Sequence, residues 1–184
     1  TTNQFSSVGA STTAGVMGIA LDNTHNRLFV GDYGKNRVLV FDVSSITNGA
    51  AAISVLGQVD FTTSTTTATQ GGLNSPRGLK YDNGSNRLFV ADYNNSRVVV
   101  YNVATTTNGE KAINVLGQSN FTTWINSQAS YPTTQSSLAR AMYVQYDSDN
   151  ELLYTGQTSG AGNRISIFNA GPDTTAPTLT AATT

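Results

Sequence analysis

One seven-residue segment of this chain occurs twice at an offset of 60 residues. Residues 27–33 read Arg-Leu-Phe-Val-Gly-Asp-Tyr, and residues 87–93 read Arg-Leu-Phe-Val-Ala-Asp-Tyr. The likeness extends outward, since residues 53–58 and 113–118 both end in Leu-Gly-Gln at the same offset. Self-similarity at a period of tens of residues means that each unit is one supersecondary module that buries its face against its neighbours. The chain is therefore built from repeats.

A third and looser copy runs from Arg140 to Phe168, with stretched spacing, and it ends before another Leu-Gly-Gln segment. The N-terminal residues resemble the tail of a preceding unit, and the C-terminal residues change to Pro, Gly and Thr, which is typical of a linker or an edge strand. The predicted divisions are residues 1–14 (end of a preceding repeat or N-terminal edge strand), 15–74, 75–137 and 138–168 (three units, together 15–168), and 169–184 (linker or edge strand).

Each unit holds short apolar runs that are rich in Val, Ile, Leu, Phe and Tyr and bounded by Asn, Asp, Gly and Ser. This pattern predicts strands joined by tight turns. Asn83-Gly84 is the dipeptide favoured in two-residue hairpins, because both residues tolerate positive φ. Four antiparallel strands per repeat is the unit of a β-propeller blade. We therefore predict an all-β fold made of four-stranded antiparallel blades.

Three motifs carry a resemblance to a known repeat family. Residues 18–22 (Gly-Ile-Ala-Leu-Asp), 28–32 (Leu-Phe-Val-Gly-Asp) and 36–41 (Asn-Arg-Val-Leu-Val-Phe) together resemble the NHL repeat. The resemblance covers most of residues 15–168 and implies about three propeller blades, each usually one of about six around a central channel. It leaves function open, since NHL-like propellers include binding platforms, RNA binders and enzymes.

Three blades fall short of the roughly four to eight that close a propeller, so the outer blades would expose sheet faces. Three explanations are open. The chain is part of a longer polypeptide, two copies complete one ring, or copies stack head to tail into a filament.

Composition favours a location outside the cell. Only 11% of the residues are charged, against about a quarter in ordinary domains, and Thr, Ser, Asn and Gln take their place. This resembles exported bacterial or archaeal proteins, and residues 173–179 resemble the lead-in to bacterial immunoglobulin-like surface domains. The absence of cysteine excludes disulfides and thiolate metal sites, and no apolar run is long enough to span a membrane. We predict an extracellular or cell-surface protein without membrane insertion.

The arginines argue against a nucleic-acid-binding role. The net charge is −1, and each arginine falls into a group of recurrent positions. The groups are Arg27 with Arg87, Arg37 with Arg97 and Arg164, and Arg77 with Arg140. Nucleic-acid binding needs a clustered basic face, and these recurrent positions indicate structural roles instead.

Two acid–base pairs recur with the repeat. They are Asp32 with Arg37 and Asp92 with Arg97, each flanking one short turn. A carboxylate that faces a guanidinium in this way can form a bidentate, charge-assisted pair. In the third unit Gln157 replaces the acid opposite Arg164. We predict that the pairs hold the blades together and form no ligand site.

The chain offers few parts for catalysis. His25 is the only histidine and lies in a turn, so a serine–histidine–acid triad would have to use it as the base. An NHL-like lyase binds its metal through histidine ligands, and a chain with one histidine cannot supply that site. We predict a protein that is not an enzyme and has no cofactor and no catalytic residue.

Calcium is a better metal candidate, because Asp147, Asp149 and Glu151 stand at alternate positions in one predicted turn. The segment lacks the glycine and the distal glutamate of a calcium-binding loop. A solvated hairpin turn is therefore the favoured interpretation, and calcium binding stays open.

Trp124 and Tyr131 lie in an irregular stretch between the second and third units. Loop aromatics of this kind either contact a ligand or partner, or fill a gap between blades. Altogether the sequence predicts a structural or protein-interaction module whose partners are other copies, further blades of the same protein or other surface proteins. The alternative is a carbohydrate- or small-ligand-binding propeller domain of a secreted protein.

Overall fold

Strands dominate the regular structure of the chain. The computed structural model describes residues 13–45, 47–123, 137–158 and 163–171. The strands in these residues are β1 (Val16–Asp22), β2 (Arg27–Asp32), β3 (Arg37–Asp42), β4 (Ser54–Leu56), β5 (Pro76–Asp82), β6 (Arg87–Asp92), β7 (Arg97–Asn102), β8 (Asn114–Leu116), β9 (Ala141–Asp147), β10 (Leu152–Gln157) and β11 (Ile165–Asn169). Short 3₁₀ turns at Tyr33–Lys35 and Tyr93–Asn95 follow β2 and β6.

The strands form three separate antiparallel sheets in chain order, which we call blade 1 (β1–β4), blade 2 (β5–β8) and blade 3 (β9–β11). The all-β, blade-type fold predicted from the repeat is confirmed. Blade 3, however, has three strands in the described part of the chain, not the four expected of each unit. The physical reason is local: β4 and β8 are formed by the segments that lead into Leu-Gly-Gln, and the third unit has no such segment.

The first hairpin of each blade closes through an aspartate at the end of its first strand. In blade 2 the Oδ1 of Asp82 accepts the backbone N–H of Gly84 at 3.0 Å, and the left-handed residue is Asn86, with φ 53°. The expectation that Asn83-Gly84 would supply the positive φ angles is therefore wrong. The loop is four residues long, so its left-handed position falls on the residue before β6 instead of on a central pair.

Aromatic and aliphatic side chains fill the two spaces between the blades. Phe29 of blade 1 stacks on Tyr81 of blade 2 with 5.8 Å between ring centroids. Phe89 of blade 2 stacks on Tyr146 of blade 3 at 4.9 Å. Around each ring pair lies one cluster of buried apolar side chains, so the core sits between sheets, as it must when each sheet buries its faces against its neighbours.

Glycines let the first strands of neighbouring blades approach closely. A Cβ added at Gly18 of β1 would lie 2.0 Å from the carbonyl oxygen of Arg77 in β5. A Cβ added at Gly78 of β5 would lie 2.7 Å from the carbonyl oxygen of Met142 in β9. The corresponding residue of β9 is Tyr143, which is 66% exposed.

In the residues that the structure describes, no helix is long and apolar enough to traverse a lipid bilayer.

Candidate functional site

One end of the three sheets, which we call the rim, is where the first strands begin and the second strands end. The turns after β2 and β6 place Tyr33 and Tyr93 there. Each first strand also has an irregularity in its register at its second residue, the kind of bulge that redirects a side chain. These second residues are Met17, Arg77 and Met142. Only blade 2 thus directs a cation toward the rim from this position.

Two arginines converge on Tyr93 at the rim. The Cζ of Arg77 lies over the Tyr93 ring, 3.6 Å from its centroid, and 5.1 Å from the centroid of Tyr33. The Cζ of Arg140 lies 5.3 Å from the Tyr93 centroid, and its Nη1 is 3.5 Å from the Tyr93 hydroxyl. We call these four residues the rim cluster. Guanidinium groups over tyrosine rings are held by cation–π attraction.

The rim cluster has no compensating acid among the described residues. The ion pairs of the described residues involve His25 and other arginines. Neither Arg77 nor Arg140 has a carboxylate of a described residue within 4.0 Å. The Nε of Arg77 is buried and has no hydrogen-bond partner. Burial alone would raise the pKa of Tyr93, but hydrogen bonds from Thr158 and Arg140 and the charges of the two arginines lower it. The cluster is therefore a site of positive potential.

The sequence predicts that Arg77 and Arg140 occupy equivalent positions of two repeats. The strand pairing shows that this prediction is wrong. The position of Arg77 is shared by Met17 and Met142, as the pairing of each first strand shows. Arg140 instead corresponds to Gly15 and Ser75, and all three have positive φ. The two arginines meet at Tyr93 because adjacent blades pack together and not because the repeat places them alike.

The predicted pair of Asp92 and Arg97 is fully buried at the rim end of blade 2. The Nε of Arg97 donates to Asp92 Oδ2 at 2.7 Å. Its Nη1 donates to the Phe121 carbonyl at 2.6 Å, and its Nη2 to the carbonyls of Thr69 and Gly72 at 2.9 Å. The contact with the carboxylate is thus through one nitrogen and not bidentate, because loop carbonyls take the other two nitrogens.

Blade 1 repeats this arrangement. The Nε of Arg37 donates to Asp32 Oδ2 at 2.8 Å, and its Nη1 donates to the Phe61 carbonyl. In blade 2, full burial raises the pKa of Asp92, while Arg97 and the donors from Asn74 and Asn95 oppose the rise. These pairs join strands to the loops between blades, and their charged groups form hydrogen bonds within the protein.

A second set of pairs was not recognised in the sequence. The Nη2 of Arg27 lies 2.6 Å from Asp22 Oδ2 and also donates to the Val103 carbonyl of blade 2 at 2.6 Å. Arg87 lies 3.1 Å from Asp82 and reaches forward to the Ala170 carbonyl, which follows β11. The sequence does contain a signal for this second set, because its aspartates and arginines are five residues apart, as in the predicted pairs.

The residues considered for catalysis and metal binding form hydrogen bonds within hairpin turns. The Nδ1 of His25 is 2.9 Å from Asp22 Oδ2. The side-chain amide of Asn150 donates to Asp147 Oδ2 at 2.8 Å, and Asp147 Oδ1 accepts the backbone amides of Asn150 and Asp149 at 3.2 and 3.0 Å. These hydrogen bonds, the first of them most, lower the pKa of Asp147. In the described ranges no three His, Cys, Asp or Glu side chains are grouped as metal ligands. Trp124 and Tyr131 lie outside the described residues.

Blade 1 also presents an apolar strand face. Ile19 and Leu21 of β1 are 62% and 52% exposed. The corresponding residues of β5, Leu79 and Tyr81, are only 8% and 7% exposed, because they pack on blade 1. The outward face of β1 therefore has the character of a blade-packing surface.

Comparisons with known proteins agree with the blade architecture. Residues 73–101, which contain most of blade 2 and its rim turn, match the NHL repeat family model. The chain thus contains an NHL repeat, and its sheets have the architecture of β-propeller blades. No curated protein sequence matches it.

Two solved propeller-type structures illustrate the similarity. The hydrazine synthase of Kuenenia stuttgartiensis aligns over 91% of this chain and 35% of its own length, with 10% identity and a TM-score of 0.59. The putative 6-phosphogluconolactonase of Bacteroides uniformis aligns over 89% of this chain and 39% of its own, with 12% identity and a TM-score of 0.59. This chain therefore spans between one third and two fifths of these relatives, and identities this low show the fold alone.

Proposed function

We propose that this NHL-repeat propeller segment is an extracellular protein-interaction module that associates with a second copy through the outward face of β1. The observation that carries the proposal is the exposure of Ile19 and Leu21, at positions where blade 2 has Leu79 and Tyr81 buried. The proposed role is binding, without a chemical step.

The repeat itself indicates what kind of surface fits this face. Leu79 and Tyr81 are covered by Ala20 and Phe29 of the preceding sheet, in one continuous apolar cluster. Burying a side chain of this size contributes about 1.5–3 kcal/mol relative to leaving it in water. A sheet face of similar apolar character is therefore the occupant that Ile19 and Leu21 favour.

The opposite outer face argues against a ring completed by two copies with the internal geometry. Blades 1 and 2 have Gly18 and Gly78 where the next strand approaches, whereas blade 3 has Tyr143. The tyrosine side chain would occupy the space that the backbone of the next blade needs. Pairing of two blade 1 faces about a two-fold axis avoids this obstruction, and such isologous interfaces are the commonest in oligomers.

The extracellular placement rests on composition. With 11% charged residues and no cysteine, the chain relies on Thr, Ser, Asn and Gln at its surface. A short apolar strand on such a weakly charged surface meets little electrostatic repulsion when two copies approach.

Analytical ultracentrifugation of the chain at micromolar concentrations tests the proposal. We expect dimers for the wild type and monomers for the double variant Ile19→Asp/Leu21→Asp. Ile165→Asp is the matched control, because Ile165 is 69% exposed on the outer blade 3; it should leave the dimer intact. A wild-type monomer, or an unchanged dimer in the double variant, would refute the proposed interface. Circular dichroism melting of each variant verifies the fold.

A further inference from the structure

We propose that the rim cluster of Tyr33, Arg77, Tyr93 and Arg140 binds a carboxylate side chain of an acidic peptide segment in a partner protein. This site is separate from the outward face of β1, so the two proposals can fail independently.

The first argument is the environment of Arg77. Its guanidinium group lies 3.6 Å from the centroid of Tyr93 and 5.1 Å from that of Tyr33, so aromatic rings hold the group in place. None of its nitrogens donates a hydrogen bond to a described residue, and its Nε is buried without a partner. Because this Nε has almost no accessible surface, an acceptor from a partner would bind the two Nη groups, which are not among the buried atoms.

The second argument is the local charge. Four other arginines of the described residues lie beside an aspartate, as the pairs on Arg27, Arg37, Arg87 and Arg97 show. Arg77 and Arg140 have no such partner, although both Cζ atoms lie within 5.3 Å of the Tyr93 centroid. Two positive groups held this close favour an anion between or beside them.

The third argument is geometric and selects the class of anion. A guanidinium whose faces are covered by rings presents its N–H groups in its own plane, and a planar carboxylate matches that fork with two parallel hydrogen bonds. Tyr33, the member of the rim cluster on blade 1, is 36% exposed and gives the aliphatic stem of a glutamate an apolar surface. A polynucleotide needs a wider basic face than two arginines provide.

The repeat supplies substitutions that the fold already tolerates. Met17 and Met142 occupy the strand position of Arg77, and Ser75 occupies the position of Arg140 with a similar positive φ. Arg77→Met and Arg140→Ser therefore remove one charge each with little structural disturbance. Lys80→Met is the matched control, because it removes a cation from the same strand outside the cluster.

Fluorescence anisotropy of a labelled hexaglutamate peptide, with hexaglutamine as the neutral probe, tests the site. We expect hexaglutamate alone to bind, and Arg77→Met and Arg140→Ser each to weaken binding at least about tenfold, as for the loss of a hydrogen bond between charged groups. Arg77→Lys should also weaken it, since it keeps the charge and loses the fork. Lys80→Met should stay within about twofold of the wild type, as expected for a distant screened charge.

Four results would overturn the proposal. They are no binding of hexaglutamate, equal binding of hexaglutamine, an effect of Arg77→Met and Arg140→Ser no larger than that of Lys80→Met, and displacement of the peptide by inorganic phosphate at concentrations where acetate has no effect. The last result would identify a phosphate site. The variant Ile19→Asp/Leu21→Asp should bind the peptide like the wild type, which separates this site from the proposed dimer face.

Discussion

Blades 1 and 2 differ from blade 3 at the positions that connect each blade to the next. In the first two blades a glycine admits the neighbouring first strand, and an arginine at the start of the second strand bonds to a carbonyl of the following blade. Blade 3 has Tyr143 and Leu152 at these positions. Its strands retain the repeat, but the two residues that connect blades 1 and 2 to the next blade are replaced. The residues that form a blade are thus distinct from those that join blades.

A third difference concerns charge. Asp92 Oδ1 accepts the amide of Asn74 at 2.7 Å, and Gln157 Oε1 accepts the corresponding amide of Ala139 at 2.6 Å. The other half of the Gln157 amide donates to Ser166 Oγ at 2.6 Å. Each blade therefore keeps the bond that fixes its entering loop, and blade 3 makes it without a carboxylate.

The largest expected effect comes from breaking the buried pair of blade 2. Asp92→Ala should destabilise the protein by about 3–5 kcal/mol, because it leaves Arg97 as a buried charge without its counterion. Gln157→Ala removes only neutral bonds and should cost about 1–3 kcal/mol. Urea denaturation measures both values. Equal losses would mean that charge makes no difference between the blades.

A smaller effect is expected from the close-approach position. Gly78→Ala should destabilise by about 1–3 kcal/mol, because the added Cβ would lie within 3 Å of the backbone of β9. Tyr143→Ala places the same side chain at the corresponding position of blade 3 and should change stability by less than about 0.5 kcal/mol, since Tyr143 is exposed. Thermal unfolding of the two variants compares them directly. A costly Tyr143→Ala would show that the blade 3 face is already packed.

The smallest effect is a local pH dependence that distinguishes the loops after blades 1 and 2. Asp60 Oδ1 accepts the amides of Thr63 and Thr62 and the hydroxyl of Thr62. The Thr63 amide has the largest effect, and together with the side chains of Thr62 and Thr63 and the Thr62 amide it lowers the pKa of Asp60 to about 2. Asn120 accepts the corresponding two amides but cannot titrate.

Because the folded pKa lies below the ordinary value, the contribution of Asp60 is present above about pH 4 and is lost as the pH falls through 2. The amide resonances of Thr62 and Thr63 should therefore titrate near pH 2 in NMR spectra. The amides after Asn120 should not, and Asp60→Asn should abolish the titration. A titration of both loops would contradict the assignment.

Repetition explains why the strands could be predicted. Alternating apolar residues bounded by turn residues predict the four-stranded sheets of blades 1 and 2. The prediction of four strands in the third unit is wrong for the described part of the chain, because that unit has no segment leading into Leu-Gly-Gln. The pairing of Asp92 with Arg97 followed from its recurrence. The remaining partners of Arg97 are backbone carbonyls of loops, which every sequence contains, so no pattern could indicate them.

The rim cluster could not be predicted from the sequence, for a different reason. Tyr33 and Tyr93 recur with the repeat, but Arg77 and Arg140 occupy unlike positions in successive units. They meet at one ring only when the blades are packed. The bulge that redirects Arg77 is an irregularity in the pairing of β5 with β6, and amino-acid composition does not indicate it.

The forward hydrogen bonds of Arg27 and Arg87 bear on how the molecule responds to a pulling force. Each links the first hairpin of one blade to the far end of the third strand in the next, across 76 and 83 residues of chain. Tension applied to one of the first two blades is thus shared with its neighbour through this bond. In blade 3 Leu152 stands at the position of Arg27 and Arg87 and has no guanidinium group to form such a bond.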